Sequence, residues 1–162
     1  MVGRVWPRHG HRGRPLNSVV RRHAASAMSW DIFVQDLPPD AGSVDDIPKD
    51  FRPKPLGPRS EIIAKIREVV PNADFSDPSW GDIEGPDWSI EVNLGTSEVC
   101  DDFALHVRGY EGAVPVVLNI LNRLGLRALD PSSDSGLFDP ARALESFGAW
   151  RRYADGIGKR DG

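Results

Sequence analysis

Trp88-Ser-Ile-Glu-Val-Asn-Leu94 and Phe103-Ala-Leu-His-Val-Arg108 decide the fold. In the first run Trp88, Ile90, Val92 and Leu94 alternate with Ser89, Glu91 and Asn93. In the second, Phe103, Leu105 and Val107 alternate with Ala104, His106 and Arg108. Successive side chains of a strand point to opposite faces, so each run predicts a strand with one buried and one polar side. The polar run Gly95 to Asp102 between them predicts the connection of a hairpin. A hairpin symmetric about that connection sets Glu91 opposite His106 and Ser89 opposite Arg108.

Toward the N-terminus, Ser29 to Leu37 predicts a further strand, with Trp30, Ile32 and Val34 alternating with Asp31, Phe33 and Gln35, and Pro38 and Pro39 ending it. Residues 38–59 hold six prolines and predict a long connection with no regular structure beyond a short turn near Val44 to Ile47. Ser60 offers a helix cap and Glu61 a favourable charge in the first turn. Ile62, Ile63, Ile66, Val69 and Val70 then share one helical face until Pro71. Burying those five side chains favours folding by roughly 8–15 kcal/mol before entropy. Asn72 to Gly85 is turn-rich, with a short strand foreseen at Trp80 to Ile83.

Toward the C-terminus, Gly112 to Leu124 predicts a second helix, with Pro115 in its first turn and Gly125 as its stop. Its expected buried stripe is Val114, Val117, Leu118, Leu121 and Leu124. Leu126 to Asp130 reads as a last strand. A third helix is expected from Pro140, capped by Asp139 and burying Leu144, Phe147 and Trp150. The order strand, helix, strand, strand, helix, strand matches a ferredoxin-like split βαβ plan: an α+β fold whose two helices cover one face of an antiparallel sheet, here with an added C-terminal helix. Residues 1–27 read as a disordered basic extension, 28–154 as one α+β domain and 155–162 as a frayed tail.

Composition limits the function. Met1 to Ala27 carries six arginines and no acid, whereas the remainder holds 14 Lys+Arg against 24 Asp+Glu, a formal net charge of −10. An acidic body repels phosphate backbones, so nucleic acid is expected only through Arg-rich residues 1–27. The longest apolar stretches run four or five residues, far short of the roughly 20 that span a bilayer, and no membrane partner is expected. Cys100 is the single cysteine; an intrachain disulfide and a Cys-based zinc site are both impossible, and a cytoplasmic, reducing location suits it. Phosphate loops and catalytic motifs are missing, and Gly156-Ile-Gly158-Lys159 follows no strand. No cofactor and no metal are expected.

Strand geometry supplies the one chemical constellation. With the first strand beside the third, Asp31, Glu91, His106 and Arg108 converge on the face away from the helices, together with Gln35. The catalytic reading is general acid–base chemistry, with His106 as the proton carrier and Glu91 orienting it. The bland reading is a solvated polar face laced by cross-strand charge pairs, each contributing about 0.2–1 kcal/mol. For binding, Phe33 and Gln35 on the open face and Pro53, Pro55 and Pro58 in the proline-rich connection are the candidates.

Met28-Ser-Trp-Asp-Ile-Phe-Val and Leu124-Gly-Leu-Arg-Ala-Leu-Asp-Pro131 resemble the corresponding segments of small uncharacterised bacterial proteins that begin Met-Ser-Trp/Tyr-Asp. Some similar proteins are suspected immunity or adaptor partners of toxins. The resemblance implies a non-catalytic, cytoplasmic protein-binding domain and no catalytic residues. The alternative is a small enzyme using Glu91 and His106.

Overall fold

The computed structural model describes residues 28–158; the expected basic extension at 1–27 and the end of the tail lie outside them. Five strands form the main sheet: β1 (Trp30–Gln35), β3 (Trp80–Glu84), β4 (Trp88–Asn93), β6 (Asp102–Gly109) and β7 (Ala128–Leu129). Their spatial order is β3-β4-β6-β1-β7, and every neighbouring pair is antiparallel. A second, two-stranded ladder pairs β2 (Gly57–Pro58) with β5 (Val99–Cys100). Three α-helices complete the fold: α1 (Arg59–Val69), α2 (Ala113–Leu124) and α3 (Ala143–Gly158). The α+β class holds, with β3 as a full edge strand.

The alternation of β1, β4 and β6 sorts their side chains. Trp30, Ile32, Val34, Ile90, Val92, Leu105 and Val107 are fully buried and share a core with Ile62 and Ile66 of α1 and Val114, Val117 and Ile120 of α2. The expected stripe of α2 is shifted: Ile120 is at its centre, and Leu118 and Leu124 sit half-buried at its margins. Gly125 closes α2 in the left-handed region at φ 64°, as its place after the apolar run predicts.

Two helix starts differ from expectation. Helix α1 begins at Arg59 after Pro58, whose fixed φ suits that place, so Ser60 lies inside the helix and does not cap it. Asp139 does cap, accepting from Ala141 N at 3.0 Å, but the turn it opens, Pro140–Arg142, is a 3-10 turn. The α-helical register therefore starts at Ala143. Ala143, Phe147 and Trp150 then form the buried stripe at i, i+4 and i+7, and Leu144 is turned outward, 62% exposed. Phe147 meets Trp30 edge-on at 5.4 Å between ring centres, placing α3 on the same side of the sheet as α1 and α2. Helix α3 continues through Gly158, past the Asp155 at which the tail is expected to begin.

The connection Gly95 to Asp102 is more than a hairpin turn. Its β5 segment pairs Cys100 with Gly57 and Val99 with Pro58, and Leu56 N donates to Cys100 O at 2.8 Å. Cys100 is thereby buried, its Sγ 3.5 Å from Leu94 O. Burial pushes its thiol above the ordinary value, and Asp102 and Asp101 add to this against the opposing charge of Arg59. The thiolate is the reactive species, so Cys100 should react with a disulfide reagent on the order of 100-fold or more slowly in the native protein than in urea. Timed thiol titration checks this; equal rates would show that the β2–β5 ladder does not shield the sulfur.

Each sheet edge is bridged at one place by the chain itself. Outside β3, Asp74 and Asp82 exchange backbone hydrogen bonds of 2.8 and 2.9 Å. Outside β7, Phe138 N donates to Ala128 O and Asp130 N to Gly136 O, each at 2.9 Å. An edge so interrupted offers little template for another strand.

Candidate functional site

The register of the main sheet fixes what stands beside what on the face away from the helices. Glu91 is opposite His106 and Ser89 opposite Arg108, as the two alternating runs imply. His106 is also opposite Asp31, and Asp82 opposite Glu91. One transverse row is therefore Asp82, Glu91, His106 and Asp31. The next row, two residues along each strand, is Trp80, Asn93, Ala104, Phe33 and Leu129, and it crosses all five strands.

The ionisable row resolves into pairs that differ from the expected one. His106 Nδ1 lies 2.7 Å from Asp31 Oδ1, and Arg108 reaches diagonally to Glu91 at 3.0 Å. Glu91 does not orient His106; Asp31 does. The reason is competition on β6: Glu91 faces His106 directly, but the long, forked guanidinium two residues on reaches it diagonally. Ser29 also donates to Asp31 Oδ1.

Burial of Asp31 pushes its pKa up, but the hydrogen bonds from His106 and Ser29, with the charges of His106 and Arg108, outweigh it and hold the carboxyl below the ordinary value. An ionised carboxylate only accepts, so Nδ1 carries the proton and Nε2 of a neutral His106 is left as the acceptor. The imidazole is stacked on Trp80, ring centres 5.8 Å apart and planes at 21°. Trp80 is the site residue that sequence reasoning missed as such. Its signal was the strand foreseen at Trp80 to Ile83, which becomes informative only once that strand is paired to β4.

The depressed Asp31 carboxyl has a stability consequence. Its folded value lies below the unfolded one, so its contribution is present above the ordinary 3.8 and disappears as pH falls through the lowered value. Asp31→Asn should remove that part of the acid limb: the urea midpoints of variant and parent should converge as pH is taken from about 5 toward 2. Parallel curves would assign the Asp31–His106 contact no preference for the ionised acid.

The binding candidates are divided between two places. Phe33 and Gln35 border a groove of about 420 Å³ whose walls include Leu94, Ala104 and Leu129, with Asn93 and Asp102 as polar neighbours. Phe33 is 38% exposed there. Pro53, Pro55 and Pro58 are exposed in the proline-rich connection. That connection is tied down: Arg127 donates to Pro38 O and Ala41 O, Val44 N to Ser135 O, and Lys54 N to Asp36 Oδ2. None of the three prolines lines the groove with Phe33 and Gln35, although Lys54, between Pro53 and Pro55, is bonded to Asp36 beside Gln35. Among the described residues, no group of three or more His, Cys, Asp or Glu side chains is disposed to hold a metal ion, and no helix is long and apolar enough to cross a membrane.

No protein-family model, curated protein or solved structure matches this chain.

Proposed function

We propose that this chain is a non-catalytic, cytoplasmic protein-binding domain, immunity- or adaptor-like in role, that engages its partner through the open face of its sheet. The observation that carries the reading is the Trp80, Asn93, Ala104, Phe33, Leu129 row, four of whose five members are apolar, lying opposite the helix-covered core. Phe33 is the exposed member of that row, Trp80 and Leu129 are half-buried, Leu129 against Leu37, Ala41 and Leu137, and Ala104 is buried. A large apolar side chain exposed beside a groove marks a contact surface. The sole cysteine, buried and without a disulfide partner, supports a reducing compartment. In fold we read the molecule as a ferredoxin-like split βαβ with one strand added: with β3 set aside, the order β4-β6-β1-β7 is that plan's arrangement.

The test is affinity capture from the native cell with the full chain, Phe33→Asp and His106→Ala in parallel. A protein retained by the parent and by His106→Ala but lost from Phe33→Asp supports the reading. A partner retained equally by all three sinks it.

A second reading rests on the Asp31–His106 contact. An imidazole oriented through Nδ1, with Nε2 free to take a proton, has the form of a general base. On this reading the chain is a small enzyme that uses His106 with Asp31, and not Glu91, as the orienting acid. It requires a turnover that His106→Ala abolishes and Phe33→Asp leaves measurable.

A further inference from the structure

We infer that the partner element seated on the open face is a basic amphipathic helix, laid across the strands along the Trp80–Leu129 row with an apolar anchor in the groove beside Phe33. This rests on the preceding reading of that face as a protein-binding surface and adds the chemistry of what binds.

Three observations select the occupant. The first is edge occupancy: Asp74 bridges the outer side of β3 at Asp82 and residues 136–138 bond that of β7, so each edge is interrupted as a template for an added strand and the face is the larger surface. The second is dimension. Five strands about 4.8 Å apart make the row roughly 19 Å long, which about 13 residues of α-helix span at 1.5 Å each. A helix of that length places anchors at i, i+3, i+4 and i+7 against one stripe. The groove of about 420 Å³ between Phe33, Ala104 and Leu129 is of ligand-pocket size and has room for a large apolar side chain.

The third observation is charge. The chain from Met28 onward carries a formal −10. Beside the apolar row Glu91 is paired with Arg108, Asp31 with His106, and Asp82 is buried, so the exposed local carboxylate is Asp102 at the other side of the groove. Lysine and arginine flanking the apolar stripe of the helix meet attraction from Asp102 and from the net negative body; an acidic helix or a phosphate backbone meets repulsion. Attraction between exposed charges also makes the binding salt-sensitive.

The experiment selects displayed 14-residue peptides, with an apolar i, i+3, i+4, i+7 stripe and fully randomised remaining positions, against the full chain. Winners are measured by titration of Trp fluorescence. The expected winners are net positive, become helical on binding, weaken at least about 10-fold with Phe33→Ser, and weaken severalfold with Asp102→Lys or between 50 and 300 mM salt. Urea unfolding of each variant separates lost binding from lost folding. Winners that are acidic or bind without helix formation, yet still lose affinity with Phe33→Ser, overturn the helix and leave the surface standing. Winners indifferent to both Phe33→Ser and Leu129→Ser overturn the surface as well, and a selection that yields no binder overturns the inference.

Discussion

Asp130→Ala should cost about 3 kcal/mol and lower the melting temperature by roughly 10 °C, against a total stability of about 5–15 kcal/mol for a domain of this size. Asp130 is fully buried, and its carboxylate gathers three donors, two of them from other parts of the chain. Trp30 Nε1 donates to Oδ1 at 3.1 Å, Ser132 N to the same oxygen at 2.9 Å, and Ser146 Oγ to Oδ2. The alanine variant leaves the buried Trp30 indole without an acceptor and the part-buried Ser132 and Ser146 donors short of one, at about 1–3 kcal/mol for each that finds no water. It also opens a small void beneath Trp30, which is itself fully buried. Asp130→Asn is the informative companion. Its remaining oxygen can serve Trp30 and Ser132 while its amide donates to a rotated Ser146 hydroxyl, so a loss nearer 1 kcal/mol is expected. Urea unfolding of the two variants checks this, and an alanine variant within about 0.5 kcal/mol of the parent would remove Asp130 from the structural argument.

The same network joins two short segments of the sequence. Trp30 belongs to Met28-Ser-Trp-Asp and Asp130 to Leu124-Gly-Leu-Arg-Ala-Leu-Asp-Pro131, and the two meet through the indole hydrogen bond. One fastens the start of β1, the other the end of β7, and Ser146 brings in α3. Their adjacency follows from β7 pairing with β1, a non-local contact that the sequence does not announce.

What was legible in the sequence was whatever has a short period. Alternation in β4 and β6 gave the register that puts Glu91 opposite His106, and the helical stripes gave α1 and α2 to within a residue or two. Choices made by side-chain reach were not legible. Arg108 takes Glu91 by a diagonal contact, and His106 is left to Asp31 and Trp80, because distances across three strands select partners. The β2–β5 ladder was hidden for another reason. A two-residue strand containing Pro58 has no periodicity to read, and only the fold brings Gly57 to Cys100. Leu144 was misplaced because a 3-10 turn at Pro140–Arg142 changes the phase of the helix that follows.

Gly109 and Gly125 make a matched pair in which backbone strain and backbone collision separate. Both have positive φ, 94° and 64°, where an L side chain is disfavoured by about 1–2 kcal/mol. A Cβ on Gly125 would have nothing within 4 Å, so Gly125→Ala should cost about 1 kcal/mol. A Cβ on Gly109 would fall 2.3 Å from Asp87 O and 2.7 Å from Trp88 Cα, atoms of the β3–β4 connection and of β4 itself. Backbone atoms cannot rotate aside, so the β4–β6 pair must splay where Trp88 faces Gly109. The carbonyl of Gly109 also accepts from Arg151, whose guanidinium lies 4.2 Å over the Tyr110 ring, so the disturbance reaches the docking of α3. Gly109→Ala should therefore lose several kcal/mol, on the order of 3–5, or fail to fold at 37 °C. The structural signature is as diagnostic as the energy. In a folded Gly109→Ala protein, amide exchange at the Trp88 and Gly109 end of the ladder should accelerate more than at the Asn93 and Ala104 end. If Gly109→Ala proves as mild as Gly125→Ala, that end of the hairpin yields freely. The rigid row positions on which both the Asp31–His106 contact and the Phe33 groove depend would then lose their physical basis.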